Sequence, residues 1–255
     1  MTRKNWDRQE LILAINLYFK TEFGKIHNRN PEIIKLAKYL NRSPSSVRWK
    51  LVNFTSFDPS LKKRGIKGAT HTSKLDKKVW DEFYNNLDVL SFESEKLFAE
   101  LKQSTVEKLN NLSEIDLLKE GKTREQIVKI RVNQSFFRKT VLASYNNTCC
   151  ITGIKQSELL IAGHIKPWGI DKENRLNPRN GIAINALHDK AFETGLITIT
   201  PDYKIKVSSV LKKQEKVKFI QENFCVYENK SIILPTKFLP DKKFLQYHNE
   251  RRFRA

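Results

Sequence analysis

The chain has 255 residues, with 47 Lys and Arg against 28 Asp and Glu, which gives a formal net charge of +19. That length fits one or two domains with a core large enough to need no disulfide staples, and 39% hydrophobic with 10% aromatic residues excludes a disordered polycation. No apolar run reaches the roughly 18–20 residues that cross a bilayer, and MTRKNWDRQE lacks a signal-type apolar core. The expectation is a cytoplasmic protein with no membrane partner.

The charge is divided along the chain: residues 1–80 carry +12, residues 81–120 carry −6 and residues 121–255 carry +13. Two basic modules joined by an acidic helical connector are the simplest organisation, and two basic surfaces suit two contacts along one polyanion. An anionic membrane would call for a basic helix with a clean apolar face, and none stands out. Cys149, Cys150 and Cys225 form no CxxC pair. They read as small buried hydrophobes in a reducing compartment, not as a zinc ribbon.

In WDRQELILAINLYFK, Leu11, Ile15 and Tyr18 fall at i, i+4, i+7, which predicts a first helix. In PEIIKLAKYL, Ile33, Leu36, Ala37 and Leu40 share a second helical face that starts at Pro31. The run NRS interrupts it. Ser43 is an N-cap candidate for a third helix from Pro44, whose buried face is Val47, Leu51 and Phe54. Two short helices across a tight polar turn have the pattern of a helix-turn-helix. Ser45 and Trp49 would then point outward, with Arg48 placed to meet a guanine edge and Lys50 a phosphate. An ordinary helical hairpin with a solvated basic face has the same pattern.

Residues 61–78 hold seven basic side chains, two glycines and one acid. They read as a flexible loop whose Lys62, Lys63 and Arg64 either follow a phosphate backbone or are simply solvated. From residue 79 helical spacing returns, with Trp80, Phe83 and Leu87 on one face, but the acidic balance to residue 120 makes a poor nucleic-acid surface.

Phe137, Val141 and Tyr145 suit a helix ending at the turn-forming YNNT. LLIAGHIKPW then reads as a buried strand with His164 at its polar end, and Gly181 opens a second apolar run, GIAIN. ALHDKAFETG offers a short helix bearing His188 and ended by Gly195. Strand, loop and helix bring together His164, Asn180 and His188. A neutral imidazole suits proton removal from water attacking a phosphodiester, a divalent cation can stabilise charge on the phosphate and departing oxygen, and an amide can hold the loop. LITITPDYKIKVSS reads as a hairpin turning at Pro201 and Asp202, and PDKKFLQYHNERRFRA as a basic C-terminal helix. His27 and His71 have no such neighbours and read as surface residues.

The stretches FFRKTVLASYNNTCCITG, AGHIKPW, NPRNGIAINALHDKAFETGLITI and FLQYHNERRF resemble HNH endonucleases of the subgroup lacking zinc-ribbon cysteines, over roughly residues 121–255. WDRQELILAINLYF and SSVRWKLVNF resemble, less specifically, the leader of restriction-type members. With the helical and acidic segments read above, the resemblance, which implies a ββα-metal nuclease core, gives an α+β expectation: a helical, helix-turn-helix-like DNA-binding domain (1–80), an acidic helical connector (81–120) and the nuclease domain (121–255). It further implies His164 as general base, Asn180 as the loop-ordering residue, His188 as a metal ligand, and Mg²⁺, with Mn²⁺ as the alternative, as cofactor. Double-stranded DNA is the implied substrate and a homodimer the expected assembly.

Two positions depart from the family pattern. Gly163 stands where many members carry an Asp or His ligand before the base, and Phe192 where many carry a second helix ligand. Asp189 and Glu193 are the remaining candidate oxygen ligands. On a regular helix, however, His188 and Glu193 point about 140° apart. Arg175, Arg179, His248 and Arg251 are candidate phosphate contacts. The rival function is a DNA-binding regulator that keeps the HNH scaffold without catalysis.

Overall fold

The computed structural model describes residues 5–69, 72–113, 117 and 122–255. His71, together with residues 114–116 and 118–121 of the acidic interval, lies outside the described residues. The chain forms two units, Met1–Thr140 and Val141–Ala255.

The first unit is built on α1 (Arg8–Lys20), started by a capping box in which Asp7 and Glu10 satisfy each other's backbone N–H groups. Leu11, Ile12, Ala14, Ile15, Tyr18 and Phe19 are fully buried. α2 (Pro31–Tyr39) and α3 (Pro44–Thr55) follow the predicted spacing, each with Pro at its start and an Asn30 or Ser43 cap. The basic stretch after them is more ordered than its composition predicts. Asp58 caps a short α4 (Pro59–Lys63), and Ser73 with Asp76 forms a second capping box that starts α5 (Lys74–Phe83). Both ends of the stretch are therefore helical. α5 places Trp80 among Tyr18, Phe19, Phe54, Phe57 and Tyr84, with ring centroids 4.9–6.1 Å away.

α6 (Leu87–Leu101), read from the sequence as part of a connector, packs along α1. Its acids have local partners: Glu93, with Glu82 of α5, clasps Arg8, and Glu95 pairs with Lys20 at 3.4 Å. The negative interval thus neutralises part of the positive one within a single unit. Phe83 and Leu87 do not share a helix, because the chain turns between α5 and α6. After α7 (Val106–Leu109) comes α8 (Arg124–Ser144), whose Ile127, Val128 and Val132 close a small cluster with Leu117.

In the second unit the chain leaves α8 through Asn146 and Asn147, both at φ near +50°, a conformation that Asn tolerates better than most residues. β1 (Leu160–His164) pairs antiparallel with β2 (Gly181–Asn185), with Gly163 opposite Ile182 and His164 opposite Gly181. α9 (Ala186–Glu193) begins on an Asn185 cap and packs on both strands. It ends in a Schellman motif, with Leu196 N–H donating to Ala191 and Gly195 N–H to Phe192. Gly195, at φ +76°, is required here: a Cβ would also lie 2.0 Å from the carbonyl oxygen of Arg252. β3 (Ile197–Ile199) and β4 (Ile205–Val207) form the predicted hairpin. α10 (Ser209–Lys212), α11 (Lys218–Asn223) and α12 (Lys242–Arg251) complete the unit. A helical unit followed by small antiparallel sheets is the α+β arrangement expected. Among the described residues no helix is long and apolar enough to cross a membrane.

Candidate active site

His164 occupies the last position of β1, where the strand delivers its side chain to an open cleft lined also by Gly163, Trp168, Asp189, Phe192, Glu193 and Arg252. Its Nε2 lies 2.9 Å from the main-chain oxygen of Arg175. A carbonyl only accepts, so in the neutral ring Nε2 carries the proton and Nδ1 the basic lone pair. Burial pushes His164 below the ordinary imidazole range, and the bond to Arg175 opposes that only in part. The Trp168 indole meets the imidazole edge-on at 5.4 Å.

The loop that carries the Arg175 carbonyl is held by Asn180. This amide is fully buried. Its Oδ1 accepts from the Lys166 N–H at 2.8 Å, and its Nδ2 donates to the carbonyls of Lys166 at 3.0 Å and Asn174 at 3.4 Å. The Asn180 carbonyl accepts from Ile165 N–H as well. One side chain thereby ties both ends of the 165–180 loop together. Arg175 adds a second tie, since its Nε donates to the Trp168 carbonyl at 2.8 Å and its guanidinium lies 5.2 Å from the Trp168 ring centroid.

The helix contributes two carboxylates and withholds its histidine. Asp189 and Glu193 are four residues apart, share a face and line the cleft. His188 is buried and does not line it: Nδ1 accepts from Asn185 Nδ2 at 2.8 Å, and Nε2 donates to the Asn223 carbonyl at 2.6 Å. With both nitrogens engaged, His188 ties α9 to the segment carrying Phe224 and Tyr227, whose rings it meets edge-on. This corrects its expected role as a metal ligand. Of His188 and Glu193, it is Glu193 that lines the cleft.

Gly163 explains how Asp189 comes so close. A Cβ built on Gly163 would sit 2.6 Å from Asp189 Oδ1, so the missing side chain is what admits the helix carboxylate over the strand. Burial, and then the charge of Glu193, raise the Asp189 carboxyl, a tension that a bound cation relieves. The two carboxylates of Asp189 and Glu193 at an open cleft suit a hard divalent cation that keeps water and phosphate ligands. Among the described residues no three His, Cys, Asp or Glu side chains form a preformed cage.

The other expected contacts divide. Phe192 is buried and stacked on His248 at 3.7 Å. His248 is buried too, donating from Nε2 to the Phe192 carbonyl at 3.0 Å and accepting at Nδ1 from Thr198 at 2.8 Å, so it is a core residue and no phosphate contact. Arg251 is exposed beside the cleft, while Arg179 is half-buried. In the first unit Ser45 and Trp49 are exposed on α3, and Arg48 lies 4.7 Å from the Trp49 ring centroid. Lys50 turns inward to the buried Asp76 at 2.8 Å, which withdraws it as a phosphate contact. Lys62, Lys63 and Arg64 are exposed around the end of α4. The buried cysteines are Cys149 and Cys150, and Cys225 is partly buried. Arg252 and Arg254 of the basic C-terminal segment lie beside the cleft, joined by Lys190, which the sequence reading does not single out.

A strand-end histidine, a loop tied by one amide and a helix bringing carboxylates to the same cleft form a ββα arrangement. Residues 149–200 match the family described as HNH endonuclease. No curated protein gives a significant match.

Proposed function

We propose that the protein is a metal-dependent DNA endonuclease of restriction type, with the second unit cutting and the first gripping the duplex. The observation that carries this reading is His164, held by the Arg175 carbonyl in the tautomer whose Nδ1 is basic, in the cleft that Asp189 and Glu193 share. In the reaction His164 Nδ1 takes the proton from the water attacking phosphorus, and the lowered affinity of the buried ring for protons keeps it neutral near pH 7. Asn180 keeps the loop shut, so the Arg175 carbonyl stays where the imidazole needs it. Asp189 and Glu193 would hold the divalent ion, Mg²⁺ or Mn²⁺, which when bound supplies charge stabilisation at the phosphate and the departing oxygen.

Ser45 and Arg48 on α3, with Lys62, Lys63 and Arg64 nearby in sequence, provide the surface for the duplex in the first unit. Arg175, behind His164, serves mainly as a positioning residue. Cutting both strands at one locus fits a homodimer with two active sites. The alternative, a regulator with an inactive scaffold, drew its force from Gly163 and Phe192. Asp189 in the space at Gly163 removes half of that force.

Purified protein incubated with supercoiled plasmid and Mg²⁺ or Mn²⁺ is expected to nick and linearise it, and the His164→Ala protein to leave it intact. No cleavage by the unsubstituted chain in either metal supports the regulator instead.

A further inference from the structure

Beside the chemical cleft runs a second groove, lined by Lys190, Glu193, Thr194, Arg251, Arg252 and Arg254, and the two grooves share Glu193 and Arg252. Three guanidinium groups within four residues of chain converge on it although two of them lie beyond the end of α12. The convergence comes from how the tail is fixed. Arg254 N–H donates to the Gly195 carbonyl at 2.9 Å, Arg252 Nη2 donates to the Glu193 carbonyl at 2.8 Å, and Ser209 Oγ donates to the Ala255 carbonyl at 2.8 Å. The Arg252 carbonyl lies in the space that Gly195 leaves open. A tail held at three points has lost its conformational entropy in advance, so its side chains project from a rigid base.

The charge of the groove is largely uncompensated. Lys190 pairs with Glu193 at 2.9 Å. Among the described residues, however, neither Arg251 nor Arg254 has a carboxylate within ion-pair distance, and both are exposed. Exposed guanidinium groups without acidic partners, gathered at one groove, suit the anionic charge of a phosphodiester.

We propose that this groove is a phosphate subsite of the same endonuclease, holding a backbone phosphate that flanks the one cleaved, with Arg251 and Arg254 as its main contacts. The inference rests on the nuclease reading, because the ligand takes its position from the neighbouring cleft. It assigns to the C-terminal tail the task of setting which phosphate enters that cleft, and the contact is to backbone, so it is independent of base sequence.

The test is binding of the full chain to a duplex of about 20 base pairs in EDTA, where no cleavage interferes, with affinity measured across a salt series. Each phosphate contact contributes about 0.9 to the slope of log affinity against log salt. The Arg251→Ala/Arg254→Ala protein is expected to lose about 1.8 from the magnitude of that slope, on two unrelated duplexes alike. Lys213→Ala/Lys216→Ala removes the same charge from exposed positions outside the groove and is expected to leave the slope unchanged. If the first double variant melts early, Arg254→Ala alone carries the test with about half the change. An unchanged slope, or an equal loss in the lysine control, overturns the subsite while wild-type cleavage leaves the nuclease reading standing. A wild-type chain that neither binds nor cuts DNA overturns both.

Discussion

His164 donates its Nε2 proton to the main-chain carbonyl of Arg175, 2.9 Å away, and this one bond decides which ring nitrogen does chemistry. Replacing His164 with Ala should lower cleavage about 10²- to 10⁴-fold, the range of a lost general base, while DNA binding in EDTA changes little. Because burial lowers the proton affinity of the ring, the neutral, active form persists to lower pH than in a free imidazole. The acid limb of kcat/KM against pH should therefore lie below about 6.5. A limb at or above that value contradicts the environment described for His164.

Asn180→Ala removes the acceptor for Lys166 N–H and the donor to the Lys166 carbonyl inside a buried loop. Each orphaned group costs about 1–3 kcal/mol, so urea unfolding should show a loss of about 2–6 kcal/mol. Cleavage should fall mainly in kcat, since the base loses its support and the phosphate contacts do not. Asn180→Asp keeps the acceptor and lacks the donor, and is expected to fall between.

Asp189→Asn should weaken Mn²⁺ binding, read by electron paramagnetic resonance without DNA, by about tenfold or more. Gly163→Ala should act in the same direction, since its Cβ would meet the Asp189 carboxylate at 2.6 Å. His188→Gln should leave Mn²⁺ affinity within about twofold and lower thermal stability instead, because both His188 nitrogens bind protein groups. Loss of Mn²⁺ binding in His188→Gln with none in Asp189→Asn would restore the histidine as the ligand.

His248 is held by burial at a pKa of about 4. Between an unfolded value of about 6.5 and that folded value, the unfolded chain binds the additional proton, so stability falls as pH falls through this window. The destabilisation from this residue is on the order of 3 kcal/mol, absent above about pH 6.5 and fully developed below about pH 4. Urea unfolding at pH 7.5, 5.5 and 4.5 should show a decline that is visibly smaller in His248→Gln. Equal declines would mean that the ring is not held neutral.

Much of this architecture was legible because local signals agreed with one another. Pro31 and Pro44 at helix starts, Ser43 as a cap, the Gly195 stop and the turn at Pro201 and Asp202 are each backbone chemistry readable within a few residues. The order His164, loop, Asn180 placed the histidine and the amide that ties its loop for the same reason. What escaped the sequence was long-range. Lys50 meets Asp76 26 positions away, and His248 finds Phe192 56 positions away, and no spacing rule announces either partner. The carboxylate at Gly163 arrives from Asp189, so an apparent gap in the strand is filled from the facing helix.

The most direct test is chemical rescue. His164→Gly protein, incubated with plasmid and Mg²⁺ over a series of imidazole concentrations, should regain cleavage in proportion to neutral imidazole, while the unsubstituted protein shows no such dependence. Wild-type cleavage rates from His164→Gly without imidazole would contradict the account, as would a variant that is inactive at every imidazole concentration although it is folded and bound to DNA.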